Sequence, residues 1–341
     1  MPKREYLVGI DYFTGWWEET PNFWIRDGVD WRAIYPERVP ILGCYNTQET
    51  MDAEIEAASK YADFFQILWY PSAEVFTDNF AKLNNGIKLF MASKNAHMMK
   101  FTMEYCNHEP YVELNDEIWD RQCRLWCEFM KHPSYLYVGG KAFFKVHGIH
   151  HFLKQHENDY VKASERMIHL REVAQKEGVG ELILCAGAVG DAKIEGSVKE
   201  FLKQFDVHGT YGELPDLPQT PELYPYETLV QKARERWEKS VKEPFLPYMP
   251  FIMCGWDPRP WKDKRLNCAL PTREQWRKAL MLLKQAIDEN TILRVPDGTP
   301  EGQKMFTIYA WNEFGEGGFM APTVGDGYMK LEELVTVFGE K

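Results

Sequence analysis

Two glutamates, Glu313 and Glu316, stand three residues apart just after the last apolar run of the chain. An extended strand would point them to opposite faces, whereas a turn or helical arc brings positions i and i+3 to one face, roughly 5–6 Å apart. Three glycines within Trp311–Gly318 permit such a turn. Neighbouring carboxylates cannot both ionise freely, so one stays protonated as an acid while the other acts as a base. Cleavage of a glycosidic bond needs this division; the alternative is a solvated acidic loop.

Polar and aromatic side chains recur at the ends of the predicted strands, where a barrel of parallel strands carries its functional residues. Indole rings stack on the C–H faces of sugars while polar groups bind the hydroxyls, although any single indole is also a good core residue. The tryptophans at or just beyond strand ends are Trp16, Trp17, Trp69, Trp256, Trp261 and Trp311. The candidate substrate-binding residues are Asp11, Tyr12, Trp16, Trp69, Tyr70, Lys94, Asn95, His147, Tyr211, Trp256, Asp257, Arg259, Trp311 and Asn312.

Three of these candidates have a second interpretation. His147 is either a hydrogen-bond partner for a sugar hydroxyl or a structural residue. Lys94 and Arg259 either bind an anionic group on the substrate or pair with carboxylates of the protein. The excess of 51 acidic over 40 basic residues favours pairing within the protein.

The cluster of His147, His150 and His151 raises the question of a metal site. Metal-dependent barrel hydrolases of the amidohydrolase kind place a His-x-His motif at the end of the first strand, and this chain has Asp11-Tyr12-Phe13 there. A GxGxxG turn after the first strand and a GxxxxGK[ST] loop are both absent from the sequence. We therefore expect no metal and no cofactor.

Short apolar runs alternate with longer helical patterns, which indicates βα units and a parallel sheet. The predicted strands are Tyr6–Tyr12, Phe64–Trp69, Lys88–Met91, Ala142–His147, Leu182–Ala186, Val207–Tyr211, Phe251–Cys254 and Phe306–Trp311. The predicted helices include Thr50–Tyr61, Asn115–Lys131, Tyr160–Lys176, Tyr226–Lys242 and Thr272–Glu289. An extra apolar run, Val39–Cys44, is assigned to the loop after the first strand. Eight strands predict an α/β fold of the (β/α)8 TIM-barrel type, formed by residues 1–341 as one domain.

Composition excludes several classes of partner. The net charge of −11 argues against nucleic acid as a partner. The sequence contains no run of 18 apolar residues, so no membrane-spanning helix is predicted. Seven scattered cysteines, an odd number, are typical of a reducing compartment. We expect a cytoplasmic protein, with an exported protein that has lost its leader as the alternative. The sequence leaves the oligomeric state open.

The stretch Trp311–Gly317 resembles the Asn-Glu-Trp-x-Glu-Gly signature of glycoside hydrolase family 99 and of related WbsX-type proteins. Further segments similar to that family follow in order along the chain: Asp11–Trp17, Leu42–Tyr45, Ile67–Tyr70, Gly140–Phe144 and Gly255–Arg259. The resemblance implies a (β/α)8 barrel. It also implies a retaining, endo-acting hydrolase of α-mannosides that forms a 1,2-anhydro sugar. By the same resemblance, Glu313 deprotonates the sugar 2-hydroxyl and Glu316 protonates the leaving oxygen.

The sequence departs from the family pattern at two places. Phe314 replaces the tryptophan of the signature, and Ala92–Asn95 stands after the third predicted strand instead of a Trp-Ala-Asn-Glu run. These departures concern recognition of mannose more than the acid/base pair. A glycosyltransferase that uses the same site is the first alternative, although no DxD triplet stands at a strand end. A non-catalytic glycan-binding barrel is the second.

Overall fold

A computed structural model describes residues 5–71, 81–108, 115–189 and 194–340. Eight parallel strands form its centre: β1 (Tyr6–Tyr12), β2 (Phe64–Trp69), β3 (Lys100–Tyr105), β4 (Lys141–Val146), β5 (Leu182–Ala186), β6 (Val207–His208), β7 (Phe251–Met253) and β8 (Lys304–Tyr309). Each strand from β1 to β5 pairs with the next along the chain, β7 pairs with β8, and β8 pairs with β1. A single parallel bridge, between His208 and Tyr248, closes the circle between β6 and β7. The predicted (β/α)8 barrel is confirmed.

Helices surround the barrel: α1 (Gln48–Ala58), α2 (Asn85–Ala92), α3 (Asp116–Met130), α4 (Ile149–Gln155), α5 (Tyr160–Lys176), α6 (Gly196–Leu202), α7 (Glu227–Lys242), α8 (Arg273–Glu289) and α9 (Met329–Phe338). Local sequence explains their starts. Asp159 caps α5, because its carboxylate accepts from the backbone N–H groups of Val161 and Lys162. Thr272 and Gln275 form a reciprocal capping box at the start of α8. The five helices predicted from the sequence are present within three residues of their expected ends.

The third predicted strand is wrong. Lys88–Met91 lies within α2, where Ile87 and Phe90 bury one face at helical spacing. The third barrel strand is Lys100–Tyr105, which pairs with Phe64–Trp69 over its whole length. A short apolar run has no periodicity that distinguishes a strand from a helix, so the sequence pattern of Lys88–Met91 does not show that this segment is helical. The run Val39–Cys44 lies in the connection from β1 to α1, as expected.

Alternation along the strands sorts side chains between the barrel interior and the helix layer. Phe64, Phe143, Ile183, Val207 and Met305 belong to an apolar cluster in the lower interior. Two residues further along β2 and β4, polar side chains replace the apolar ones. The resulting polar layer is Asp11, Gln66, Glu104 and Lys145, all completely buried. The interior therefore changes from apolar to polar toward the carboxyl ends of the strands.

Candidate active site

A cavity of about 430 Å³ lies at the carboxyl end of the barrel, directly above the polar layer. Its wall includes one residue from each of six strands or strand ends, each placed two positions beyond an interior residue: Phe13, Leu68, Cys106, His147, Tyr211 and Tyr309. Glu313 and Glu316 also line it. Parallel strands explain this meeting, because their carboxyl ends share one rim.

Glu313 and Glu316 are held on one tight turn. The backbone N–H of Glu316 donates to the carbonyl of Glu313 at 3.1 Å. Two-residue strands, Asn312–Glu313 and Gly318–Phe319, flank the turn as an antiparallel hairpin. Gly317 has a φ of 80°, a left-handed conformation that favours glycine. The turn predicted from the glutamate spacing is therefore present.

Each glutamate accepts a hydrogen bond from a tyrosine hydroxyl. Tyr211 donates to Oε1 of Glu313 at 2.7 Å, and Tyr309 donates to Oε2 of Glu316. The second oxygen of Glu313 is buried and has no hydrogen-bond partner within the described structure. Burial and the neighbouring charge of Glu316 raise the pKa of Glu313 well above its usual value. Burial also raises the pKa of Glu316, although the hydrogen bond from Tyr309 and the charge of Arg265 oppose that shift.

Arg265 supplies a positive charge at the edge of this cavity. Its guanidinium lies 3.0 Å from Oε1 of Glu316 and 2.6 Å from Oδ2 of Asp263. The same group stacks over the ring of Trp256, with 4.4 Å between its central carbon and the ring centroid. Trp261 lines the cavity beside it. The indoles of Trp256 and Trp261 give the cavity an aromatic wall next to the ion pair of Arg265 and Glu316.

His147 faces the cavity from the end of β4 and is joined to the polar layer below. Its Nδ1 lies 2.7 Å from Oε1 of Glu104. Oε2 of Glu104 lies 3.0 Å from the ammonium of Lys145 and accepts from Gln66 at 2.7 Å. Lys145 also donates to the backbone carbonyl of Thr210, the residue before Tyr211. A buried network thus connects both sides of the cavity.

The sequence matches the model of one protein family, described as glycosyltransferase WbsX, over residues 104–334. The chain belongs to the WbsX family. The match spans both glutamates and most of the barrel, from β3 onward. The similarity to WbsX-type proteins expected from the sequence motifs is confirmed. A search of curated proteins found no match.

Solved structures share the fold of this WbsX-family protein at low sequence identity. A glycoside hydrolase-like protein is 15% identical with a TM-score of 0.65, and the alignment covers 98% of this chain and 94% of the other. The GH99 endo-alpha-mannosidase from Bacteroides thetaiotaomicron, in complex with Bis-Tris propane, is 14% identical with a TM-score of 0.59, and 98% of each chain is covered. At this level of sequence identity the likeness shows a shared fold. Both alignments extend over nearly the entire barrel.

Six residues expected at the site of the WbsX-family protein line the one cavity. They are Tyr70, His147, Tyr211, Trp256, Glu313 and Glu316. Asp11 lies just beneath, in the polar layer, where it accepts from Gln66 at 2.6 Å. Burial raises the pKa of Asp11 well above its usual value, and the charge of Glu104 adds to that shift. Asp11 is completely buried beneath the cavity and does not line it.

Two of the expected residues face the helix layer instead of the cavity. The hydroxyl of Tyr12 donates to Glu54 of α1 at 2.6 Å. The indole N–H of Trp69 donates to Gln122 of α3 at 3.0 Å. Each follows an inward-facing residue by one position, so alternation along the strand turns it outward.

Five more expected residues hold the loops around the cavity together. The side-chain amide of Asn312 bonds the backbone of Phe13 in both directions, each at 2.8 Å. The indole N–H of Trp16 donates to the carbonyl of Asn312, and Trp311 is completely buried. Asp257 pairs with Arg259 at 2.7 Å and with the buried Arg38. The interpretation of Arg259 as a partner of a protein carboxylate therefore fits the structure.

Lys94 and Asn95 do not belong to the cavity, and their assignment is corrected. They follow α2 and precede β3, so they lie at the amino end of the barrel strands. The side-chain amide of Asn95 donates to the backbone carbonyl of Asp52, and the Lys94 side chain is 77% exposed. The misplaced third strand caused both errors. Asn107 lies two residues after the end of β3. Its side-chain amide donates to the carbonyl of Gly148 and accepts from the N–H of Gly148.

The sequence analysis missed Tyr309, Arg265, Glu104 and Lys145. Tyr309 lies at the end of an apolar run and shows no separate signal. Glu104 and Lys145 did leave a signal, because each is a charged residue one position before the end of a strand. Arg265 lies in a long connection after β7, and only the folded chain brings it to Glu316.

The part of the chain that the structure describes contains no group of three or more His, Cys, Asp or Glu side chains arranged to hold a metal ion. His147 contacts Glu104, whereas His150 bonds the backbone carbonyl of Val189.

In the same described ranges, no helix has the length and apolar character needed to cross a lipid bilayer.

A larger cleft of about 880 Å³ opens on the flank of the barrel between α6 and α7. It adjoins the first cavity through Thr210 and Gly212, which line both. Three glutamates line the cleft, Glu195, Glu213 and Glu243, and the one beside the shared wall, Glu213, accepts two hydrogen bonds of 2.6 and 2.7 Å from Arg236. A carboxylate neutralised in this way is a poor proton donor or acceptor. The smaller cavity therefore remains the candidate active site.

Proposed function

We propose that this WbsX-family protein is a glycoside hydrolase that cleaves a glycosidic bond in an oligosaccharide or polysaccharide by carboxylate acid/base catalysis. The observation that carries the proposal is the pair Glu313 and Glu316 on one turn, where both line one cavity and each accepts a hydrogen bond from a tyrosine hydroxyl. Burial raises the pKa of both carboxyl groups above the usual value of a glutamate, which favours retention of a proton by the pair. Protonated and ionised carboxyl groups side by side are what glycosidic cleavage uses.

The remaining cavity residues suit a sugar ring. Trp261 offers a flat apolar surface for a C–H face, and Tyr70, His147 and Tyr211 offer polar groups for hydroxyls. By resemblance to family 99, Glu313 is the base that deprotonates the 2-hydroxyl, which then displaces the leaving oxygen and forms a 1,2-anhydro sugar. Glu316 is the acid that protonates that oxygen. Water opens the anhydro ring, so the anomeric configuration is retained.

The family description favours one second candidate, a glycosyltransferase on the same site. The two reactions differ in the acceptor, because a hydrolase transfers the glycosyl group to water and a transferase to another hydroxyl. They also differ in the donor, because a transferase normally uses an activated sugar. The fold shared with hydrolases at TM-scores of 0.65 and 0.59 is compatible with both.

The decisive experiment is product analysis after incubation with a panel of α- and β-linked oligosaccharides. We expect the wild-type protein to cleave at least one linkage and produce new reducing ends. Glu313→Gln and Glu316→Gln should not produce them. Glu54→Gln is the matched control, because Glu54 is also a buried glutamate but contacts Tyr12 outside the barrel interior. Binding of a glycan with no turnover would support a binding protein, and transfer from activated sugars alone would support the transferase.

A further inference from the structure

Glu104 lies in the middle of the polar layer and contacts three side chains at once. Its Oε1 lies 2.7 Å from Nδ1 of His147, and its Oε2 lies 3.0 Å from Lys145 and 2.7 Å from Nε2 of Gln66. Glu104 and Lys145 are both completely buried. Glu104 therefore reaches no bound sugar itself, whereas His147 lines the cavity with its side chain 18% exposed.

We propose that Glu104 is a positioning residue that holds His147 with the proton on Nδ1 and presents Nε2 to the cavity as a hydrogen-bond acceptor for a substrate hydroxyl. An ionised carboxylate only accepts hydrogen bonds, so the nitrogen in contact with it must carry a proton. In a neutral imidazole, that requirement leaves the other nitrogen as the acceptor. The inference rests on the proposed glycoside hydrolase function for its substrate, but not for the state of the imidazole.

The surroundings keep Glu104 ionised. Burial alone would raise its pKa, but the Lys145 ammonium and the hydrogen bond with His147 outweigh burial, and the pKa of Glu104 lies below its usual value. The other acid of the polar layer is Asp11, and burial raises its pKa well above the usual value. Gln66 donates from one amide nitrogen to both acids, which ties Asp11 and Glu104 into one rigid layer.

Stability alone is a poor explanation for this arrangement. Removing two charges from water carries a large cost, and apolar pairs of similar volume are often as stable or more stable. The barrel already has an apolar cluster below this layer, and the charges appear only where the interior meets the cavity. A carboxylate that fixes a histidine ring and its tautomer is a common support for a functional imidazole.

The first test measures the tautomer directly and needs no substrate. Labelling of the nine histidines with ¹⁵N, with the His147 signal assigned through His147→Gln, distinguishes a protonated Nδ1 from a protonated Nε2. We expect the Nδ1–H form in the wild-type protein and in Glu54→Gln. In Glu104→Gln the neutral amide both donates and accepts, so we expect the Nε2–H form to become populated. An Nε2–H form in the wild-type protein overturns the proposal.

The second test asks whether Glu104 acts through His147. Glu104→Gln should lower kcat/KM by about tenfold when His147 is present, as expected for one misdirected hydrogen bond. In the His147→Ala background the same change should cost less than about threefold, because residues that act together are not additive. Equal losses in both backgrounds overturn the proposal. If the wild-type protein turns over no glycan, the proposed function fails, while the tautomer measurement still decides the role of Glu104.

Discussion

At the scale of residues, Glu313 and Glu316 have similar surroundings that differ by one cation. Glu313 is buried and the Glu316 side chain is 15% exposed; each binds one tyrosine hydroxyl, but only Glu316 contacts Arg265. A nearby cation stabilises the ionised form of a carboxyl group. This difference favours the proton on Glu313, whereas the family resemblance assigns the acid role to Glu316. Two experiments separate these orders.

Arg265→Met should raise the pKa of Glu316, because the guanidinium 3.0 Å away stabilises the carboxylate. If Glu316 is the acid, activity requires its protonated form, so the alkaline limb of the pH profile of kcat/KM should move to higher pH. Movement of the acidic limb instead would identify Glu316 as the base. Arg124→Met is the control, since Arg124 forms a surface ion pair with Asp120 on α3 and should leave both limbs in place.

The leaving group tests the same assignment independently. A general acid contributes about 10²–10⁴-fold in rate by protonating the leaving oxygen, and a glycosyl fluoride does not need that proton. Glu316→Gln should lose this factor on natural linkages and remain largely active on the fluoride. Glu313→Gln should be slow on both, because both substrates need the base. Rescue of Glu313→Gln by the fluoride would reverse the roles, and full activity of both variants would rule out the pair.

At the scale of elements, the hairpin Asn312–Phe319 depends on glycine for space as well as for conformation. A Cβ on Gly318 would overlap the ring of Tyr309, and a Cβ on Gly315 would overlap the indole of Trp261. Both neighbours line the cavity. The glycines of the motif thus allow the glutamate turn to lie directly against the rings beside it.

Gly318→Ala should therefore displace Tyr309 from Glu316 and lower kcat by at least about tenfold, the value of one lost hydrogen bond to a charged group. Gly327→Ala is the matched control, because Gly327 has a φ of 53° and open space around its Cα. That change should cost only about 1 kcal/mol of stability through backbone strain. Measuring kcat together with Tm separates the two effects. Equal activity of the two variants would contradict the role of close packing at Gly318.

At the scale of the whole molecule, one barrel supplies every part of the candidate site. Its residues come from the ends of β1, β2, β3, β4, β6 and β8 and from the loops after β7 and β8. The chemistry proposed for them needs protons but no Lewis acid. Dialysis against EDTA should leave both turnover and Tm unchanged, and calorimetry should show one cooperative unfolding transition. Loss of turnover that a divalent ion restores would contradict this expectation.

The sequence by itself determined the features that are local in the chain. The glutamate spacing with its glycines predicted a turn, and the alternation of strands and helices predicted the barrel, because both depend on residues close in sequence. The alternation of side chains along a strand is also local information. If Asp11 and Leu68 point into the barrel, alternation predicts that Tyr12 and Trp69 point away from the cavity, as the structure shows.

Only the tertiary structure decided which distant residues complete the site. Arg265 reaches Glu316 across 51 positions, and His147 reaches Glu104 across 43. Such contacts depend on how strands and loops pack around the barrel axis, and no local pattern encodes them. The third strand shows the same limit, because Lys88–Met91 is the more apolar of the two segments, whereas Lys100–Tyr105 contains a lysine, a threonine and a glutamate and is nevertheless the strand. Pairing with β2 over the whole length of Lys100–Tyr105 identifies the strand. This position places Lys94 and Asn95 away from the cavity and Glu104 in the polar layer beneath it.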